Sequence, residues 1–178
     1  MVVAVTVVDY DSAWPERFAV QRDAILGVGS GLVLAIEHIG STAVPGLAAK
    51  PVIDIAVAVG SVEVGGTALV DAVRPLGYVF FDAGMPGRLM CTRDEGGVRA
   101  QHLHILPVSR WDLLKERLMR DWLLAHPVDR DRYGALKIEL ASRLNGEDYT
   151  RAKTDFVQEL VDAARAERGL ASEPVWEG

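Results

Sequence analysis

His38-Ile39-Gly40-Ser41-Thr42-Ala43-Val44-Pro45-Gly46-Leu47-Ala48-Ala49-Lys50-Pro51-Val52-Ile53-Asp54-Ile55 leaves one apolar, β-branched segment, crosses a run of small residues and enters another. The pattern predicts a strand over 32–39, a loop over 40–46, a short helical turn near 47–49 and a strand over 52–59. The second strand is apolar nearly throughout, as strands buried on both faces are. A loop of this kind can offer backbone N–H groups and a hydroxyl to a phosphate, because glycine lets the chain approach closely. Asp54 can then supply a hard oxygen ligand to a divalent ion on that phosphate. The same residues also describe a tight loop with a buried capping Asp.

On the N-terminal side, residues 2–8 predict a first strand, and Trp14-Pro15-Glu16 opens a helix to about Leu26, with Pro15 in the first turn where no N–H is needed. On the C-terminal side, 63–76 predicts a helix stopped by Pro75 and Gly77, and 78–81 a strand. Residues 88–93 and 98–106 predict two strands joined at Asp94-Glu95-Gly96-Gly97, where glycines supply the positive φ of a hairpin. Three helices follow, over 109–125 with Ser109 as cap, 129–144 and 147–168, with His126-Pro127 as a break and 170–178 as a frayed tail. The hairpin requires an antiparallel edge, so the fold class is α+β: a mixed sheet packed with helices, followed by a three-helix C-terminal segment. The expected organisation is one domain over 1–170, with a sheet core over 1–106, a helical part over 109–168 and a tail over 171–178.

These segments together resemble the GrpB family of the nucleotidyltransferase superfamily. The resemblance rests on the His38–Ile55 run, on Tyr10-Asp11-Ser12-Ala13-Trp14-Pro15, on His102-Leu103-His104, and on Arg120-Asp121-Trp122-Leu123-Leu124-Ala125-His126-Pro127 with Tyr133, Lys137, Tyr149 and Lys153, covering about residues 7–165. It implies a nucleotidyltransferase-like core in which the Gly40-Ser41 loop, with Thr42, binds nucleotide phosphates and strand carboxylates hold magnesium. Active members carry two acidic residues two apart, sharing one face of the strand. Here the pair reads Asp54 and Ala56, and the segment aligned with a third acidic position offers His102 and His104. Glu37 or Asp82 folding into the vacant place would restore the pair. The resemblance thus implies a divalent metal, magnesium or manganese ahead of zinc. Such domains also occur fused to dephospho-CoA kinase, but this chain has no GxxxxGK[ST] loop and is not that kinase.

Read as residues alone, His102 and His104 alternate with Leu103 and Ile105, so both imidazoles leave one face of a strand. With Asp54 they make a ligand set for zinc, iron or manganese; the competing assignment is one core hydrogen-bonder and one cleft-lining group. His38 either contacts a ligand or anchors the loop. Lys50 and Arg88 are candidate cations for a phosphate or carboxylate, or else solvated charges. Tyr133 with Lys137, and Tyr149 with Lys153, share helix faces at i, i+4, and either close a cleft over an anionic ligand or pack helix against helix. Cys91 reads as an inert apolar residue.

Composition bounds the rest. Of 178 residues, 49% are hydrophobic and 25% charged, which excludes wholesale disorder. A formal charge of −6 argues against sequence-blind nucleic-acid binding. One cysteine forms no internal disulfide and no cysteine-rich zinc site. With no signal-peptide pattern and no long apolar run, the expectation is a soluble cytoplasmic protein. The functional expectation is binding of a nucleotide or other phosphorylated small molecule among the Gly-Ser loop, Asp54, the His102/His104 strand and the C-terminal helices, with nucleotidyl transfer as the reaction. The alternatives are a non-catalytic ligand- or partner-binding module and a metal-dependent hydrolase using Asp54, His102 and His104.

Overall fold

The structure, a computed structural model, describes residues 5–175. Its strands are β1 (Ala35–Ile39), β2 (Ile53–Val59), β3 (Val79–Phe80), β4 (Leu89–Glu95) and β5 (Val98–Pro107). They form one sheet in the order β1-β2-β5-β4-β3. β2 and β5 run parallel and every other neighbouring pair antiparallel, the mixed α+β arrangement that the hairpin demanded. β2 is central, and Ile53, Ile55, Ala56, Val57, Ala58 and Val59 are buried, which accounts for its apolar run. Asp54 alone interrupts that burial.

The chain divides into two compact units. The first, Ser12–Ile39 with Val52–Asp112, holds the sheet. Its helices are α1 (Trp14–Val28) and α2 (Thr67–Val73). Helix α1 buries Trp14 and Ile25, and its Phe18 stacks on His38 with ring centres 4.9 Å apart. Helix α2 buries Leu69, Val70 and Val73. At the end of α1, a Cβ on Gly29 would stand 2.8 Å from Leu69 Cδ1 and 3.0 Å from Ile25 O, so a side chain there would have to displace Leu69. A Cβ on Gly66 would stand 3.3 Å from Leu89 and 3.5 Å from Ile105, which puts the start of α2 on the Leu89/Ile105 face of the sheet. His38 pairs with Ile55, and Ile55 with Leu103, so α1 covers that same face.

The second unit joins 5–11, Gly40–Pro51 and 113–175. It contains α3 (Lys115–Ala125), α4 (Pro127–Ala141), α5 (Gly146–Ala152) and α6 (Thr154–Glu167). Val44 and Leu47 of the loop share a core with Leu123, Tyr133, Val157, Leu160 and Val161. The loop is therefore held by apolar burial, the dominant favourable term in folding. Val8 and Ala49 exchange two backbone hydrogen bonds of 2.9 Å.

Several elements differ from the sequence expectation. The first strand falls partly outside the described residues, and of 5–8 only Val8 makes a bridge. The helical turn sits at Ser41–Ala43 rather than 47–49, because Ala49 is taken by that bridge and Val44, ahead of Pro45, is extended. The 63–76 helix is composite: a π turn at Val62–Gly66, then α2, then a 3-10 turn at Arg74–Leu76. Ser61 Oγ accepts from Val64 N–H at its start, and Pro75, which lacks an N–H, ends its regular part. Ser109 lies in a 3-10 segment, Val108–Leu113, and does not cap α3, whose first turn follows the extended Leu114. The last expected helix breaks at Lys153 into α5 and α6, so four helices follow the sheet. The described tail is pinned rather than frayed. Arg165 Nε donates to Ala171 O at 2.6 Å, and Val175 N–H donates to Gln158 Oε1 at 2.8 Å.

Candidate functional site

Because side chains alternate across a strand, register decides what Asp54 meets. Asp54 pairs with His102, and His102 with Thr92; Ala56 pairs with His104, and His104 with Met90. All six point to the face opposite the one that α1 and α2 cover. His102 Nδ1–H donates to Asp54 Oδ1 at 2.9 Å, and His104 Nε2 stands 3.9 Å from the same oxygen. One ligand atom from each of Asp54, His102 and His104 lies within 4.8 Å of the others, the spacing of a metal-binding group. The side chains of Asp54 and His102 are each 27% exposed and that of His104 6%. Burial alone would raise the Asp54 carboxyl. The His102 hydrogen bond, with the His104 imidazole close by, more than offsets this and holds it well below the usual carboxylate range.

His104 is unusual within the group. Its Nδ1 is buried without a hydrogen-bond partner, and its Nε2 is beyond hydrogen-bond reach of Asp54. Buried polar atoms are normally satisfied, and this sets His104 apart from His102, which is bonded to Asp54.

Neither candidate replacement carboxylate joins the group. Glu37 pairs with Ala56 and shares its face, yet among the described residues only Asp54, His102 and His104 reach one another. Asp82 accepts from Gly84 N–H at 3.0 Å in the loop after β3.

Within the sheet unit, His38 and Arg88 stand apart from this group. His38 is on the far face of the sheet, stacked on Phe18. Arg88 lines a cavity of about 420 Å³ with Gly60, Ser61, Glu63 and Pro107. That cavity is at the Val59–Pro107 end of β2 and β5, five residues beyond Asp54 along β2 or roughly 17 Å. In the helical unit, Gly40 has φ 71°, a conformation natural to glycine, and leads into the turn of Ser41, Thr42 and Ala43, with Thr42 buried. Lys50 Nζ and Lys153 Nζ lie 4.6 and 4.9 Å from the centre of the Tyr149 ring. Lys137 Nζ lies 4.5 Å from the Tyr133 ring, which stacks on Phe156. The i, i+4 pairs therefore do meet, whereas the approach of Lys50 to Tyr149 is long-range and had no local signal. Thr92 and Met90, the β4 members of the Asp54 and Ala56 rows, also carried none.

The family model described as GrpB protein matches residues 4–163. The chain belongs to the GrpB family. A UPF0157 protein of Pseudomonas aeruginosa is 37% identical over 175 residues, covering 91% of this chain and 68% of that one. The glutamate-rich protein GrpB of Alkalihalophilus pseudofirmus is 27% identical, covering 89% and 94%. The crystal structure of conserved protein GrpB from Enterococcus faecalis superposes with a TM-score of 0.83 at 30% identity, covering 92% of this chain and 99% of that one. The Cid1 poly (U) polymerase, in a structure with MgGTP bound, matches 77% of this chain and 45% of its own at TM-score 0.51 and 14% identity, which shows a shared fold. The GrpB chain thus has the nucleotidyltransferase-like fold that its sequence implied. Magnesium prefers a near-octahedral shell of oxygens. One carboxylate and two imidazoles do not fit that preference.

Proposed function

We propose that this GrpB protein binds a nucleotide or another phosphorylated small molecule together with a divalent ion, on a nucleotidyltransferase-like fold. The observation that carries the reading is the Asp54, His102 and His104 group on one face of the central strands, with an anionic carboxylate and an unsatisfied buried imidazole. Within the helical unit, the backbone of Gly40 and the hydroxyl of Ser41 are the groups suited to hold phosphate, and Lys50 and Lys153 are the cations. Nucleotidyl transfer, in which an acceptor hydroxyl attacks the α-phosphate and pyrophosphate departs, would draw on those cations to stabilise developing charge. A second reading, a ligand- or partner-binding module without catalysis, is favoured by Ala56, because that residue leaves the standard carboxylate pair incomplete.

The test is thermal unfolding of the purified protein with nucleoside triphosphates, each in magnesium, manganese, zinc or EDTA. A ligand at about 100 times its Kd stabilises the native state by about 2.7 kcal/mol, or roughly 5–10 °C in Tm. We expect a rise that needs nucleotide and metal together and disappears in Asp54→Asn. A rise that persists in EDTA supports the non-catalytic module, and no rise with any nucleotide rejects nucleotide binding.

A further inference from the structure

We propose that Asp54, His102 and His104 form a transition-metal site that takes zinc or a chemically similar ion, in place of the magnesium centre expected of this fold. The inference rests on reading the three residues as a metal centre and adds the identity of the ion.

The donor chemistry comes first. Two imidazole nitrogens and one carboxylate oxygen suit zinc, iron(II), cobalt(II) and manganese(II), whereas magnesium seeks oxygens and keeps its waters. The position that would supply a second carboxylate on β2 is Ala56, and the residue paired with it is His104. At that row of the sheet the chain offers an imidazole where an oxygen donor would stand.

Burial is the second argument. His104 is 5% exposed, its Nδ1 has no partner, and its Nε2 is 3.9 Å from Asp54 Oδ1. A gap too wide for a hydrogen bond is close to the roughly 3.4 Å that separates two ligand atoms on a tetrahedral ion with bonds of about 2.1 Å. A cation seated there takes His104 Nε2 and Asp54 Oδ1 as ligands together. No side chain has to cross the molecule to form the site, since β2 and β5 are adjacent strands and their ladder fixes Asp54 opposite His102.

Openness is the third. Among the described residues no fourth His, Cys, Asp or Glu joins the group, and Asp54 and His102 keep more than a quarter of their side-chain surface in solvent. Three protein ligands with an accessible side describe a centre that accepts water or a ligand oxygen, unlike the closed four-ligand structural kind. This order of preference, zinc-like ions ahead of magnesium, reverses the one implied by the resemblance.

The experiment uses the full chain, untagged and stripped with EDTA. Titration with zinc or magnesium alone is followed by calorimetry, and titration with cobalt(II) by its visible d–d absorption. We expect one zinc or cobalt per chain, bound at least about 100-fold more tightly than magnesium. His102→Ala, His104→Gln and Asp54→Asn should each weaken zinc binding by more than about tenfold, since even outer-sphere partners of a metal contribute that much. His102 is partly exposed, so His102→Ala tests the site if buried His104 tolerates no change, and circular dichroism verifies that each metal-free variant is folded. Magnesium bound as tightly as zinc, or zinc affinity unchanged in the folded variants, overturns the inference. A nucleotide-dependent Tm rise in magnesium without zinc binding also overturns it while leaving the phosphate-ligand reading intact. Zinc binding without any nucleotide effect supports it and removes only the nucleotide.

Discussion

Cys91 and Thr92 are neighbours in β4 with opposite surroundings. Thr92 shares the His102 row of the candidate metal centre, while Cys91 pairs with Leu103 on the other face and is fully buried. Burial pushes the Cys91 thiol up to about 11, with a smaller opposing influence from Arg74. The sign follows directly. A thiol pKa raised on folding favours the protonated native form, so its stabilising contribution is complete below the ordinary thiol value of about 8.5 and is lost as pH rises from there toward 11. We predict that a thiol-specific disulfide reagent at pH 8 leaves the native protein unmodified and titrates one thiol in denaturant. Rapid labelling of the native chain would show that Cys91 is on the accessible face. That Cys91 is an inert core residue was legible from its neighbours. That Asp54 would pair with His102 in the ladder was not.

The hairpin of β4 and β5 decides which β4 residues share the face of Asp54, His102 and His104. Glu95 pairs with Val98 across Gly96 and Gly97, whose φ values of 59° and 80° are those a two-residue turn requires. Asp94 pairs with Arg99, but Arg93 pairs with Gln101, so a bulge inserts one residue into β5. An unbulged hairpin would continue by one residue less and set Cys91, not Thr92, opposite His102, placing a thiol beside the histidines. The turn glycines were readable because their backbone chemistry is local. The bulge depends on cross-strand packing and was not readable. Gly97→Ala keeps space around the new methyl but forces a left-handed conformation, and we expect it to lower unfolding free energy by about 1–2 kcal/mol in urea titrations. An unchanged midpoint would mean that the turn is not held in this conformation.

For the molecule as a whole, acid stability has an identifiable contributor. Asp121 of α3 accepts from Arg120 at 2.7 and 2.9 Å and, through its other oxygen, from Arg168 beyond the end of α6 at 2.9 Å. Burial works to raise its carboxyl, but the two guanidinium groups outweigh it and the net shift is downward. A carboxyl depressed on folding stabilises above its ordinary value of about 3.9, and the contribution is lost as pH falls below that. The group is one-third exposed, so solvent screening limits the effect to about 1 kcal/mol or less. We predict that Asp121→Asn lowers Tm at pH 7 and that the difference closes as pH falls below the ordinary carboxylate value in parallel thermal melts. A difference that persists in acid would assign the loss to packing instead of charge. Among the described residues, no helix is long and apolar enough to cross a membrane.

The amino-acid sequence by itself determined the five strands of the sheet, the hairpin turn, the α+β class and the family, because these follow from local periodicity, glycine and proline chemistry and a contiguous motif. It also placed Asp54, His102 and His104 on strands with the two histidines on one face. Only the tertiary structure decided that β2 lies parallel to β5 with Asp54 opposite His102, that His38 belongs to the other face, and that Arg88 stands at the far end of the strands. It also decided that Val8 and Ala49 pair and so move the loop's helical turn to Ser41–Ala43. The physical reason is common to all of these. Strand partners and register are set by burying one face of each strand against residues distant in sequence, and a shift of one residue exchanges the faces.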